Sequence, residues 1–358
     1  MKKVHNFSAG PGILPAEVLQ QAADACINFD NLNLSLLEIS HRSKNFEAVI
    51  DESRELVKEL LGVGAGWQVL FLGGGASQQF AMVPYNLLRE NGSAAYVNTG
   101  VWASKAIKEA KILGNTKVIA SSEDKQFGYI PKGYEIPTDA DYLHITSNNT
   151  IYGTQMKSFP KSPIPVVCDM SSDIFSKPVD GNQFALIYAG AQKNMGPAGA
   201  TMVAVREDIL GKTERKMLSM MDYRVHIKGG TMYNTPPVFP IYVVMLTLRW
   251  LKKNGGLPWI EGVNNAKAKL MYDEIDRNSL FKGTVINPED RSNMNATFVM
   301  TKPELEPEFD KMWKAADISG IRGHRDVGGY RASLYNALPL ESVQALVDVM
   351  QAFEKQYA

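Results

Sequence analysis

The sequence predicts an α/β fold in which a large domain built on a mostly parallel β-sheet is followed by a smaller α+β domain. Two observations predict it. Between Gln68 and Val205, short and nearly continuous apolar runs alternate with stretches of helical period. That is the pattern of strands buried on both faces and joined by crossover helices. Beyond Gly256 the alternation stops, and long helical patterns flank one clear strand. A chain of 358 residues has room for two such units.

Each element has its own signal. Residues 6–15 are rich in glycine and proline and read as an ordered loop leading into a helix from about Ala16. Over 45–61, Phe46, Val49, Ile50, Leu56, Val57, Leu60 and Leu61 fall at helical spacing, and Gly62 ends the pattern. The strand-like runs are 68–72, 94–98, 117–120, 142–146, 165–168, 185–188 and 200–205, with helical patterns at 77–89 and 101–113. An apolar helix over 241–253 stops at Asn254-Gly255-Gly256. A helix over 259–278, a strand over 296–300 and helices over 306–317 and 340–357 complete the chain. There is no internal repeat and no low-complexity tract.

Composition narrows the function classes. Hydrophobic residues at 45% and charged residues at 21% are those of an ordinary globular protein, so the content alone marks no disordered or fibrous class. The formal net charge of +0 removes the electrostatic case for binding nucleic acid or an anionic membrane. Cys26 and Cys168 are the only cysteines and form no metal-ligand spacing, so no metal is expected and a reduced, cytoplasmic setting fits. The start of the chain lacks the apolar stretch of a secretory signal. The longest uncharged stretch, 236–248, falls short of the roughly 20 apolar residues a membrane span requires.

Three features sit at the ends of predicted strands, where ligands collect in open α/β sheets. Gly73-Gly74-Gly75-Ala76-Ser77 lies between a strand and a helix, so its backbone N–H groups can approach a phosphate at a helix N-terminus. It is neither a Walker loop nor a dinucleotide fingerprint, and a glycine-rich turn without ligand is the alternative. Asp169 follows the apolar run 165–168 and is placed to pair with a pyridinium nitrogen, or simply to cap a helix or turn. Lys193, in Tyr188-Ala189-Gly190-Ala191-Gln192-Lys193-Asn194-Met195-Gly196-Pro197, is flanked by small residues just after a buried strand. Desolvation there lowers an amine's pKa and leaves it neutral for imine formation. Lysines in loops are ordinarily surface residues. This one has an acid and an anion loop at neighbouring strand ends, and the three together match the aldehyde, ring nitrogen and phosphate of pyridoxal 5'-phosphate (PLP).

The chain resembles the phosphoserine aminotransferases, a family within the fold-type I PLP enzymes. The resemblance runs from Asn6 to the C-terminus through NFSAGPGILP (6–15), EISHRSKNF (38–46), GGGASQQF (73–80), YAGAQKNMGPAG (188–199), YNTPPVF (233–239) and GHRDVGGYRASLYNALPLESV (323–343). It implies a large PLP-binding domain over 16–256 and a small domain over 257–358 together with the N-terminal segment 1–15. It also implies that Lys193 holds the cofactor as a Schiff base and shuttles protons at the substrate α-carbon. Asp169 then binds the ring nitrogen, Trp102 stacks on the ring and Thr150 bonds its hydroxyl, while Ala76, Ser77 and Gln192 hold the phosphate. A core role is the alternative for Trp102.

The resemblance further implies that Asn234 and Thr235 reach the phosphate of a neighbouring subunit in a homodimer with shared active sites. From residues alone, helix capping before Pro236-Pro237 explains them as well. Arg331 matches the clamp for the substrate α-carboxylate. His324 and Arg325 of one subunit, with His41 and Arg42 of the other, match the pocket for the substrate phosphate or the glutamate side chain. Isolated His-Arg pairs are usually solvated surface residues. The chain departs from some relatives at Ala9 (for Ser), Ser77 (for Arg) and Ser43 (for Gly), which puts individual contacts in doubt rather than the reaction class.

The expected reaction is ping-pong transfer of the amino group from L-glutamate to 3-phosphohydroxypyruvate, giving O-phospho-L-serine and 2-oxoglutarate in serine biosynthesis. A second substrate in pyridoxine biosynthesis, giving 4-phosphohydroxy-L-threonine, stays open. The rivals are an aminotransferase of serine, alanine and glyoxylate, a cysteine desulfurase, a catalytically silent PLP-binding scaffold and a generic phosphate-binding module. The paired His-Arg motifs argue against the first. Cys168 in a predicted strand and Cys26 in a predicted helix argue against the second. Intact Lys193, Asp169 and Arg331 argue against the third, and Lys193 against the fourth.

Overall fold

The computed structural model describes residues 4–325 and 327–358. Residues 1–3 of the expected small domain, and Asp326 in the motif at 323–343, lie outside the described residues. In chain order the main elements are β1 (His5–Asn6), α1 (Ala16–Ile27), α2 (Lys44–Leu61), β2 (Trp67–Leu72), α3 (Gly75–Leu87), β3 (Ser93–Asn98), α4 (Val101–Leu113) and β4 (Asn115–Ser121). Then come β5 (Tyr142–Thr146), β6 (Val166–Asp169), β7 (Leu186–Gly190), β8 (Thr201–Arg206), α5 (Tyr223–Lys228), α6 (Val238–Lys253) and α7 (Gly256–Arg277). The C-terminal part adds β9 (Phe281–Gly283), β10 (Asn295–Met300), α8 (Glu306–Ala315), β11 (Ile318–Ser319), β12 (Tyr330–Ser333) and α9 (Leu340–Tyr357).

The large sheet has the order β2-β8-β7-β6-β5-β3-β4. Every pair from β7 to β4 is parallel, while β8 runs antiparallel to both β2 and β7. This bears out the mostly parallel sheet. Alternate residues of the same strand feed two separate cores. Val69, Leu143, Cys168 and Ile187 pack under α1, α2 and α6, and Leu70, Tyr142, Val167 and Leu186 pack under α3 and α4. Burial on both faces is the reason the strands read as continuous apolar runs.

Several boundaries shift by a few residues for identifiable reasons. Gly74, at φ 82°, is the N-cap of α3, so that helix starts two residues before the expected Ser77. Asp169 is the last residue of β6 rather than the residue after it. Asn254 caps α6 and Gly255 (φ 112°) already caps α7, so the stop signal is a tight helix-to-helix corner. The helix expected over 306–317 ends at Ala315, because Asp317 is left-handed (φ 56°) and turns the chain into β11. Gly62 ends α2 as expected, in the left-handed conformation.

A third core forms in the C-terminal part, from Phe7 and residues between Ala268 and Phe353. Its centre is aromatic: Phe309 lies 4.9 Å from Phe281, 5.1 Å from Tyr330 and 5.2 Å from Phe353, ring centroid to centroid. This core backs the sheet β12-β10-β9, which carries Arg331. Phe309 is fully buried, so Phe309→Ala leaves a cavity no neighbour can fill. The expected loss is about 3–5 kcal/mol, read as a lowered urea midpoint in equilibrium unfolding.

Candidate active site

β2 is antiparallel to β8, and β8 to β7, so β2, β3, β5, β6 and β7 all point the same way. Their C-terminal ends open on one edge of the sheet. Each end delivers one expected site residue. The loop after β7 carries Lys193, β6 ends in Asp169, and the loop after β5 carries Thr150. β3 leads into Trp102 in the first turn of α4, and β2 into the glycine loop and α3.

Lys193 is the meeting point. Its Nζ donates to Thr150 Oγ1 at 2.7 Å and lies 5.6 Å from the centre of the Trp102 ring. Burial pulls its pKa down to about 8 from the usual 10.5; the Asp169 charge opposes this fall and the Arg331 charge adds to it. The loop is pressed from above by the N-terminal segment. Gly12 N–H donates to the Gln192 carbonyl at 2.7 Å, and a Cβ on Gly12 would sit 2.7 Å from the Lys193 carbonyl oxygen. Only glycine fits there.

Asp169 is 5% exposed. One of its oxygens accepts from Ser171 N–H at 2.9 Å and from Ser171 Oγ at 2.6 Å. Burial raises its pKa, and the Ser171 hydrogen bonds and the Lys193 charge restrain that rise. The arrangement is that of a carboxylate waiting for a cationic or N–H partner.

The glycine loop makes an anion cradle. Gly74 and Gly75 have φ of 82° and 69°, so the backbone turns where an L side chain is strained. Gly75, Ala76 and Ser77 form the first turn of α3, with no side-chain cap and no acidic residue in it. Its N–H groups and helix dipole favour an anion. Ser77 is exposed, and Ala76 and Gln192 are partly so.

Arg331, on β12, brings the C-terminal part to the same place. Its Nη1 donates to the Thr150 carbonyl at 3.2 Å, while its buried Nε has no protein partner. Thr150 therefore holds Lys193 with its hydroxyl and Arg331 with its carbonyl. Trp102 Nε1 is likewise buried without a partner, and its ring is only partly covered, so a pure core role does not describe it.

The remaining expected residues lie in turns and loops outside the named helices and strands. His324 and Arg325 form a turn before β12, in which the His324 carbonyl accepts from Val327 and Gly328 N–H. His41 has a buried Nε2 without a partner, and Arg42 is exposed. Asn234 and Thr235 are exposed, and Asn234 Nδ2 donates to the Thr235 carbonyl at 3.2 Å. Neither caps α6, whose N-cap is Pro237 without a side-chain bond, so helix capping does not explain them. Among the described residues no hydrogen bond or ion pair joins His41, Arg42, Asn234 or Thr235 to Lys193, Asp169 or Arg331.

One of the departures has a structural use: Ser43 caps α2 by accepting from Phe46 N–H. At Ala9 it is the backbone carbonyl that accepts from Tyr335 OH, at 2.7 Å. Sequence reasoning missed Ser171, whose position two residues after Asp169 is the spacing of an Asx turn. It also missed Gly12, which only the packed loop explains.

Comparison with known proteins agrees with this geometry. The class-V aminotransferase family model matches residues 4–346. The chain belongs to the class-V aminotransferases. It is 66% identical over 357 residues to the phosphoserine aminotransferase of Flavobacterium psychrophilum, covering 99% of this chain and all of that one. Among solved structures of the family, the phosphoserine aminotransferase of Bacillus circulans subsp. alkalophilus superposes with a TM-score of 0.97 at 46% identity, over the full length of both chains. A PLP-bound phosphoserine aminotransferase from Trichomonas vaginalis gives 0.92 at 36% identity, covering 98% of this chain and all of that one.

The depressed pKa of Lys193 is directly measurable. In the apo protein, reductive methylation of Lys193 is expected to rise with pH through about 8, because only the neutral amine attacks the aldehyde. Exposed lysines follow at higher pH. Peptide mass spectrometry after short exposure at pH 7 and pH 9 reads the difference, and Lys193 reacting no earlier than the rest contradicts its desolvation.

Proposed function

We propose that this chain is a PLP-dependent phosphoserine aminotransferase that transfers the amino group of L-glutamate to 3-phosphohydroxypyruvate, giving O-phospho-L-serine and 2-oxoglutarate. One observation carries the reading. Lys193, with an amine kept near neutrality, stands with Trp102, Thr150 and Arg331 over a buried carboxylate, at the sheet edge where α3 offers an anion cradle. These are the partners PLP requires, and the unpartnered Trp102 Nε1 and Arg331 Nε are donors waiting for a ligand. The residues present fit the cofactor.

When bound, PLP supplies a pyridinium ring that draws electrons away from the substrate α-carbon. The chain's residues do the rest. Lys193 Nζ is the point of attachment and afterwards carries the proton to and from the α-carbon. Asp169 holds the proton on the ring nitrogen, Trp102 covers the ring face and Thr150 bonds the ring hydroxyl. Ala76, Ser77 and Gln192 bind the phosphate, with Asn234 and Thr235 reaching it from a second subunit. Arg331 orients the α-carboxylate, and His324, Arg325 and the partner-facing His41 and Arg42 meet the second anionic group. A homodimer with shared sites belongs to this reading, and it accords with the lack of any hydrogen bond from His41, Arg42, Asn234 or Thr235 to Lys193 among the described residues.

Two units frame this site in the proposed reading: 16–256, and 257–358 with the N-terminal segment 1–15. The separate aromatic core of the second supports the division. A reduced, cytoplasmic setting accords with unpaired Cys26 and Cys168, and no helix among the described residues is long and apolar enough to cross a membrane. Serine biosynthesis is the place of this reaction. Burial of Cys168 inside β6 speaks against the desulfurase reading, which needs a mobile thiol.

The test is amino transfer to 2-oxoglutarate from phosphoserine, serine, alanine and aspartate. Phosphoserine is expected to lead serine in kcat/KM by at least about a hundred-fold, because a site built for a charged group is left unpaired without it. Comparable turnover of serine overturns the phosphate pocket. Arg325→Ala is expected to raise the KM for phosphoserine roughly ten-fold or more while PLP content, read by borohydride fixation on the Lys193 peptide, stays at the wild-type level.

A further inference from the structure

Behind Asp169, on the sheet face covered by α3 and α4, a line of polar aromatic side chains runs through otherwise apolar core. Tyr142 and His144 of β5, Tyr96 of β3 and Tyr188 of β7 are each at most 1% exposed. Tyr142 and Tyr96 share a hydrogen bond of 2.8 Å between their hydroxyls. The Tyr96 ring stacks on the His144 ring with centroids 4.9 Å apart and planes 21° apart. His144 Nε2 lies 2.9 Å from the Tyr188 hydroxyl. Tyr188 is the register partner of Asp169 across β6 and β7, so the two side chains leave the sheet side by side on this face, and the Tyr188 hydroxyl acts on Asp169 in the sense that favours the charged form. Phenylalanine or leucine would fill this core without the cost of burying hydroxyl and imidazole groups.

We propose that Tyr188 and His144 are positioning residues, a two-step hydrogen-bond relay that holds Asp169 as a carboxylate facing the cofactor's ring nitrogen. The proposal rests on the reading of Asp169 as the ring-nitrogen partner. The proton positions follow from elimination. His144 Nδ1 is buried with no hydrogen-bond partner. A proton on Nδ1 would orphan a buried N–H donor, whereas a bare Nδ1 leaves only an unused acceptor, the smaller penalty. The proton is therefore on Nε2, and His144 donates to the Tyr188 oxygen. Tyr188 in turn has its own proton free for Asp169. The opposite arrangement would turn the Tyr188 oxygen lone pairs toward a carboxylate as well as orphan the donor.

Charge states agree with that order. Burial pushes the His144 pKa down to about 3, so the ring is neutral with a single N–H. Burial also pushes Tyr188 well above the ordinary phenol value, so it stays a donor. Asp169 accepts from Ser171 N–H and Oγ at its own strand end, and the relay adds Tyr188 from the next strand. Hydrogen bonds to the charged form oppose the upward push of burial, and a carboxylate that stays charged keeps the ring nitrogen protonated.

The experiment uses the PLP-loaded enzyme with 15N in the cofactor ring and reads the ring-nitrogen chemical shift by NMR, alongside kcat and KM. Asp169→Asn is the control for the underlying reading and is expected to move the shift fully toward that of an unprotonated pyridine. Tyr188→Phe is expected to move it part of the way in the same direction. It should also lower kcat roughly ten-fold, about one hydrogen bond to a charged group, with KM little changed. His144→Leu is expected to give a smaller shift of the same sign, and it carries the test if Tyr188→Phe does not fold. A packing role alone would lower thermal stability and leave the 15N shift in place. The relay is wrong if Asp169→Asn moves the shift and the folded Tyr188 or His144 variant does not. If Asp169→Asn also leaves it unmoved, the ring-nitrogen role of Asp169 itself is wrong.

Discussion

Thr150 is the joint on which the site depends. Its hydroxyl accepts from the Lys193 amine and its carbonyl from the Arg331 guanidinium, so one residue ties the loop after β7 to the small C-terminal sheet. The two cations it joins repel one another, and Arg331 helps to lower the Lys193 pKa. Thr150 offers one acceptor to each cation, and the Asp169 charge offsets part of the repulsion at Lys193. The site is thereby biased toward anions before any ligand arrives. A neutral Lys193 relieves part of that repulsion, which is the protonation state a nucleophilic amine requires.

The same logic governs Asp169. Burial alone would drive its carboxyl toward the neutral acid, which pairs poorly with a protonated ring nitrogen. Ser171 and the Lys193 charge counter this, and in the proposed relay Tyr188, bonded to His144, does so from the core side. Lysine and aspartate are displaced in opposite directions by the same burial. The Lys193 pKa falls to about 8, while the rise at Asp169 is restrained by its hydrogen-bond donors.

Much of this was legible in the sequence, and the parts that were not share a cause. α4 and α9 match the helical patterns to the residue, because their apolar faces repeat over several turns. Lys193, Asp169 and the glycine loop stand out as unusual residue types at strand ends. β12 does not stand out. Its four residues, Tyr330–Ser333, are half polar, and they form a strand only because β10 pairs with them. The antiparallel direction of β8 leaves no mark in its composition either. The double use of Thr150 and the Asp169–Tyr188–His144 line depend on neighbours far away in sequence. Tyr188 and His144 lie in apolar runs, where local pattern reads only a buried strand.

The division of labour within one chain follows from the same geometry. The groups that meet the cofactor in the proposed reaction, Lys193, Asp169 and Thr150, lie at a strand end or in the loops that follow the strands of a sheet covered on both faces, and Arg331 is anchored on β12. Their positions are over-determined by packing. His41, Arg42, Asn234 and Thr235 lie on loops beside helix starts, with Ser43 fixing the start of α2 and Pro237 that of α6. Such loops are oriented by their helices and have few contacts of their own. They are suited to meeting a ligand from outside the chain's own cleft. On this reading the chemistry is built into each subunit, while full recognition of a second anionic group requires two subunits to meet. The unpartnered His41 Nε2 is then a donor or acceptor reserved for that junction.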